Sequence, residues 1–143
     1  MKNVSDLLKG KPTRMVSVKP EDSVLDAIKL MASENIGAAI VMTGDRLVGI
    51  FSERDYARKV ILKGRSSETT RVEEIMTANV VCVSPRAKSR DCMTLMSEKN
   101  IRHLPVVDEG RVIGMVSIRD IVTDIIADQD FTIGQLEQYI SGQ

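Results

Sequence analysis

One apolar run ends in Gly49-Ile50-Phe51-Ser52-Glu53-Arg54-Asp55, and the same polar pattern returns as Gly114-Met115-Val116-Ser117-Ile118-Arg119-Asp120. The shared motif is G-x-x-S-x-R-D. A strand that runs straight into a helix presents backbone N–H groups and the positive end of the helix dipole, a setting that suits phosphate. Ser52 and Ser117 add hydroxyl donors there, and Arg54 and Arg119 are placed to contact phosphate. Asp55 and Asp120 fall on the same first turn, where two carboxylate oxygens can accept both hydroxyls of a ribose diol. The Ser-x-x-Asp spacing is equally an N-terminal capping box, which needs no ligand. Repetition bears on the choice between the two. Capping tolerates Thr, Asn, Glu or Gln, whereas serine, arginine and aspartate recur together here while neighbours drift, Glu53 to Ile118 and Tyr56 to Ile121.

Other chemistry is thinly supported. His103, the one histidine, follows Arg102 and has no metal-ligand spacing. It reads either as half of a cationic pair or as an ordinary half-buried residue before a strand. Cys82 and Cys92 lack the close pairing of a redox or zinc motif and have no recognisable histidine partner, so both read as small core residues. With no paired acids or poised nucleophile in view, the chain is not expected to be an enzyme.

Val16–Val60 lies over Val81–Ile125 at one constant offset without a gap, and roughly 14 of about 45 positions are identical. Pro20/Pro85, Asp26/Asp91, Met31/Met96, Asn35/Asn100 and Gly49/Gly114 are among them. Each copy opens on a short strand, Met15–Val18 or Val80–Val83. An amphipathic helix follows, with Val24, Leu25, Ile28 and Met31 on one face in the first copy. A hairpin comes next, Ala39–Met42 with Leu47–Phe51 and Leu104–Val107 with Val112–Val116. A second helix closes each copy, about 53–62 ended by Gly64, and about 118–127. The fold class is therefore α/β (α+β): two β-α-β-β-α units, expected to pack sheet to sheet about a pseudo-twofold axis. Val4–Leu8 and Val72–Met76 read as matching lead-in helices, and Lys63–Thr70 as a surface connector. The organisation expected is a first motif with its lead-in over 1–70, a second over 71–127, and a helical tail over 128–143 with Ile133, Leu136 and Ile140 at helical spacing.

Composition narrows the partners. The chain has 143 residues, 43% of them hydrophobic, and Lys+Arg balance Asp+Glu at 20 each, so no global field favours nucleic acid or an anionic membrane. Aromatic residues make up 3%, which removes the stacking platforms of single-strand binders. The acidic start Ser5-Asp6 and the lack of a long apolar run speak against a signal peptide or a membrane span, and the expected location is cytoplasmic. Most of the eight methionines fall at apolar positions and read as core or interface.

The duplicated unit with Gly49-x-x-Ser52-x-x-Asp55 and Gly114-x-x-Ser117-x-x-Asp120 resembles a tandem pair of cystathionine β-synthase (CBS) domains, a Bateman module, over about 4–127. The resemblance implies a stand-alone regulatory module that binds AMP, ADP, ATP, NAD or S-adenosylmethionine in clefts between its paired units. It also implies a homodimer and an unnamed regulated protein. By the same likeness Asp55 and Asp120 hold ribose hydroxyls, while Ser52 and Ser117 approach phosphate with Arg54 and Arg119. Residues before the first strand cradle adenine, which nominates Thr77 for one cleft and Thr13 or Pro12 for the other. Residues opening the first hairpin strand are Arg102-His103 in the second copy and Gly37-Ala38 in the first; Arg102 and His103 are assigned to phosphate, Gly37 and Ala38 to the adenine cradle. Arg102 and His103 bring one permanent and one pH-dependent cation where the first copy has none, so the Asp120 cleft is expected to bind phosphate better. Two other readings stay open: a structural or scaffolding dimer whose serines and aspartates merely cap helices, and a small nucleotide-processing enzyme.

Overall fold

The structure is a computed structural model and describes residues 2–10 and 15–140. Among these, 15–81 form one compact unit, and 2–10 together with 82–140 form a second. The first unit contains β1 (Ser17–Val18), α2 (Val24–Glu34), β2 (Ala38–Thr43), β3 (Arg46–Ser52), α3 (Glu53–Asp55) continuing as a π-helix (Tyr56–Ile61), and α4 (Val72–Ile75). The second contains α1 (Val4–Lys9), α5 (Ser89–Lys99), β4 (His103–Asp108), β5 (Arg111–Ser117) and α6 (Ile118–Ile140).

Helices α2 and α5 end alike, because the shared Asn35 and Asn100 both take left-handed φ, 55° and 54°. Asparagine tolerates that conformation and stops the helix there. Ser23 caps α2, its Oγ accepting the Asp26 N–H at 3.1 Å. The buried residues of α2, Val24, Ala27 and Met31, pack with Ala39, Val41, Phe51, Val60, Val72 and Ile75 in a continuous core. In the second unit Val4, Cys92, Met96, Leu104, Val106, Val116 and Ile121 are likewise buried.

Both hairpins pair antiparallel with the same bulge, between Val41 and Met42 and between Val106 and Val107. Ahead of them the two units differ. In the first, β1 pairs parallel with β2 through Ser17↔Ile40 and Val18↔Val41. In the second only Val83↔Val106 forms, so the expected Val80–Val83 strand shrinks to one bridge. Pro105 stands where Ile40 stands in the first copy, and without an N–H it cannot complete the second pairing.

The second helices also diverge. Gly64, at φ 68°, ends the first as expected, with Arg65 N–H reaching the Val60 carbonyl at 2.9 Å. Gln129 occupies that position in the second copy, and α6 continues without interruption to Ile140. The tail expected over 128–143 is thus, as far as residue 140, the outer part of α6, and the stop expected near Ala127 does not occur.

The lead-ins are exchanged. Val72 and Glu73 donate their N–H groups to the Asp22 and Pro20 carbonyls, both at 2.9 Å, so α4 docks on the copy that precedes it. Val4 and Ser5 make the matching bonds to Ala87 and Pro85 at 2.8 and 2.9 Å, so α1 docks on the second copy. The compact units therefore do not follow the sequence division at residue 70. The expected surface connector is more than a link, because the Ser67 and Thr70 carbonyls accept the first N–H groups of α2, from Leu25 and Val24. Among the described residues no helix is long and apolar enough to cross a membrane.

Candidate functional site

Each G-x-x-S-x-R-D motif lies at the end of a hairpin strand, and its glycine is required by the exchanged lead-in. A Cβ on Gly49 would sit 2.5 Å from Met76 Sδ and 3.0 Å from the Thr77 carbonyl oxygen. A Cβ on Gly114 would sit 2.9 Å from a Leu8 methyl. The close approach is continued by a backbone exchange in which Ile50 N–H donates to Thr77 O at 3.0 Å and Thr77 N–H donates to Ile50 O at 2.9 Å. Thr77 is thereby brought beside the strand that delivers Ser52.

Past the strand, both motifs form a complete capping box. Ser52 N–H and Oγ–H donate to Asp55 Oδ2 at 2.9 and 3.0 Å, and Ser52 Oγ accepts the Asp55 N–H at 3.1 Å. The second copy repeats this with Ser117 and Asp120 at 2.8, 3.1 and 3.3 Å. The next N–H of each helix is used as well, Glu53 donating to Gly37 O at 3.0 Å and Ile118 to Arg102 O at 2.8 Å. Most of the N–H groups expected to face a phosphate are therefore already bonded. What each helix start offers instead is a carboxylate fixed in one rotamer, whose lone pairs are not exhausted by capping, and an exposed arginine, Arg54 or Arg119.

The residues opening the hairpins join these helix starts. Ala38 pairs with Ser52, and Gly37 precedes it. His103 pairs with Ser117, and exposed Arg102 precedes it. So Gly37, Ala38, Ser52, Arg54, Asp55 and Thr77 fall in one unit, and Arg102, His103, Ser117, Arg119 and Asp120 in the other. Thr13, with Pro12, lies outside the described residues.

Two residues at one aligned position, missed in the sequence, make the helix starts more unequal. Lys59 Nζ pairs with Asp55 Oδ1 at 3.2 Å and donates to the Ile75 carbonyl at 3.1 Å, tying the first carboxylate to the end of α4. The i,i+4 spacing was its signal. The second copy has Asp124 there, and it turns inward, 7% exposed, to accept the Ser89 hydroxyl at 2.5 Å. Helix type decides which residue points in. The π-turn in the first copy, marked by Leu62 N–H bonding Ala57 O at 3.0 Å, buries Val60 and leaves Lys59 outside. The α-geometry of the second copy buries Asp124.

Among the described residues no group of three or more His, Cys, Asp or Glu side chains is placed to hold a metal. Burial pushes the thiols of Cys82 and Cys92 above their ordinary range, and the Asp91 charge adds to the shift at Cys92. A depression of about 370 Å³ lined by Ser17, Lys19, Asp22 and Thr43 lies at the turn end of the first hairpin, away from Ser52.

The CBS-domain family model matches residues 4–62 and 72–127. A mitochondrial CBS domain-containing protein of Arabidopsis thaliana, CBSX3, is 42% identical over 127 residues; the match covers 85% of this chain and 62% of that protein's length. A solved CBS-domain protein from Burkholderia ambifaria MC40-6 is 53% identical with a TM-score of 0.86, over 90% of this chain and 96% of the other. The CBS domain pair of protein MJ0100, solved in complex with 5′-methylthioadenosine and S-adenosyl-L-methionine, is 28% identical with a TM-score of 0.77, over 87% and 99%. A hexameric CBS-CP12 protein from bloom-forming cyanobacteria is 28% identical with a TM-score of 0.76, over 85% and 70%. The repeated strand-to-helix motif, the duplicated units and these likenesses agree: the chain belongs to the CBS-domain family and carries two CBS domains in tandem.

Proposed function

We propose that this chain is a cytoplasmic regulatory module that binds an adenosine-containing ligand, performs no catalysis, and changes the behaviour of a partner protein by favouring one conformation when liganded. The observation that carries the reading is the doubled, pre-set carboxylate of Asp55 and Asp120, in a family where the related MJ0100 pair holds two adenosine compounds. Each aspartate accepts ribose hydroxyls with lone pairs left over from capping. Ser52, Arg54, Ser117 and Arg119 face phosphate or an equivalent polar group, with Thr77, Gly37 and Ala38 beside adenine in the first copy and Thr13 as the counterpart for the other. Arg102 supplies additional positive charge in the second copy, with His103 beside it.

The two positions differ in strength. Asp55 is paired with Lys59, the second copy has Asp124 at that aligned place, and Arg102 and His103 lie near its helix start. AMP, ADP, ATP, NAD and S-adenosylmethionine are the ligands to test, by thermal shift and then calorimetry. The expected result is stabilisation by at least one, amounting to about 2.7 kcal/mol at a hundredfold excess over Kd. Asp120→Ala should weaken binding more than Asp55→Ala. No stabilisation by any of the five overturns the reading, and loss confined to Asp55→Ala overturns the ranking.

The completeness of both capping boxes favours a second reading, a structural homodimer in which the aspartates serve only the helices. It predicts no ligand at all. It also predicts a modest stability loss for Asp55→Asn and Asp120→Asn.

A further inference from the structure

The first unit closes a ring of contacts around Asp55. Ser52 N–H and Oγ–H both donate to Asp55 Oδ2, at 2.9 and 3.0 Å, and Lys59 Nζ sits 3.2 Å from Asp55 Oδ1. The same ammonium donates to the Ile75 carbonyl at 3.1 Å, at the end of α4. Just beyond, Thr77 exchanges paired backbone bonds with Ile50, at 3.0 and 2.9 Å, on the strand that delivers Ser52. We propose that Lys59 is a gate on the first site: it occupies the carboxylate oxygen that a ribose needs, and a ribose diol displaces it, releasing the end of α4.

Acceptor capacity sets the competition. A carboxylate offers about four lone-pair positions, two on each oxygen. Capping by Ser52 takes both on Oδ2, and Lys59 takes one on Oδ1. A vicinal diol donates two hydrogens, so it grips Asp55 with both hydroxyls only when Lys59 leaves Oδ1. The gate is lightly held. The Lys59 side chain is 46% exposed, and an ion pair so open to water gains little, because solvent screening and the ordering of a long side chain offset most of the attraction. The Asp55 side chain, 14% exposed, stays fixed by Ser52 while the ammonium can swing into water.

The gate belongs to the first copy alone. At the aligned position the second copy has Asp124, turned inward onto Ser89, so no ammonium from that position reaches Asp120. In the first copy the π-turn buries Val60 and leaves Lys59 outside, and turns of this type are rare and recur at functional sites. Displacement of Lys59 also has a consequence beyond the carboxylate. It removes a contact that holds α4, a lead-in of only 4 residues, so occupancy of the first site is felt at Met76 and Thr77.

Gating rests on the reading of Asp55 as a ribose acceptor, and the test separates the two. The full chain carrying Asp120→Asn, which weakens the second site while keeping a cap acceptor, is compared with and without Lys59→Met, using adenosine and 2′,3′-dideoxyadenosine as probes. Neither probe carries phosphate, so attraction between Lys59 and a phosphate cannot mask the competition. Calorimetry is expected to show adenosine binding about threefold tighter with Lys59→Met, the loss of a competitor as strong as an exposed ion pair, while dideoxyadenosine gains nothing. Without ligand, the Met76 and Thr77 amides should exchange with deuterium about threefold faster in Lys59→Met, while the Val83 and Val107 amides of the second unit keep their rates. Unchanged or weaker adenosine binding with Lys59→Met overturns the gate, as does equal tightening of both probes. Unchanged exchange at Met76 and Thr77 overturns the link to α4 whatever the ligand result. If adenosine binds neither chain, the ribose reading fails and takes the gate with it.

Discussion

One methyl group added to each motif glycine should separate the two units energetically. In Gly49→Ala the new Cβ meets Met76 Sδ at 2.5 Å, Met76 Cγ at 3.0 Å and the Thr77 carbonyl oxygen at 3.0 Å. The thioether can swing aside. The carbonyl cannot withdraw without stretching the paired bonds between Ile50 and Thr77, at 3.0 and 2.9 Å. Overpacking of this kind costs about 1–3 kcal/mol, and a weakened hydrogen bond up to about 1 more. The stiffer unfolded chain of alanine returns about 0.4–1 kcal/mol. The net loss expected is about 2 kcal/mol. In Gly114→Ala every close atom belongs to the flexible end of Leu8, at 2.9, 3.3 and 3.6 Å, so a rotamer change relieves the contact. Its cost of about 1 kcal/mol nearly cancels the gain in the unfolded state. Urea unfolding followed by circular dichroism measures both. With a slope of about 2 kcal/mol/M, Gly49→Ala should lower the midpoint by about 1 M and Gly114→Ala by less than about 0.3 M. A Gly49→Ala chain as stable as the parent, or a Gly114→Ala chain that loses more, would refute the packing account of the motif glycine.

Three further outcomes follow from particular contacts. Asp124→Ala leaves the Ser89 hydroxyl with only a 3.4 Å approach to the Lys2 carbonyl and should cost about 1–3 kcal/mol, whereas Ser89→Val with Asp124→Leu should recover most of it. Additive losses in that double-mutant cycle would count against a coupled pair. Because burial raises both thiols, Cys82 should react slowly with a disulfide reagent at about pH 8 and Cys92 only after unfolding. Rapid labelling of native Cys92 would contradict its burial. The Arg71 N–H, followed by the Arg65 guanidinium at 2.6 Å, holds the Glu74 carboxyl below its ordinary value of 4.5. A carboxyl depressed on folding stabilises above its unfolded pKa and loses that effect as pH falls through the folded one. Glu74→Gln should therefore flatten the melting-temperature profile below about pH 4.5 and leave its shape at neutral pH unchanged. An unaltered acid limb would exclude the contribution.

The hairpins, the first helix of each copy and the Ser-x-x-Asp helix starts were legible because each rests on local periodicity or on adjacent residues, and duplication supplied an internal check. The strand expected over Val80–Val83 failed on one distant residue, Pro105, whose missing N–H matters only once the pairing register is known. Helix α6 outran its expected end because Gln129 carries no stop where the first copy has Gly64.

From the sequence alone came the duplication, the family likeness, the pairing of Ser52 with Asp55 and Ser117 with Asp120, and the basic residues Arg102 and His103 where the first copy has Gly37 and Ala38. All of these are encoded within a few residues or by direct repetition. Tertiary structure alone decided that the lead-ins change places, that Gly49 and Gly114 exist to admit Met76 and Leu8, and that the helix N–H groups are already bonded. It also decided that Lys59 restrains Asp55 while Asp124 turns inward. Each of these depends on which residues meet across chain separations or on helix register, and no local pattern of side chains records that.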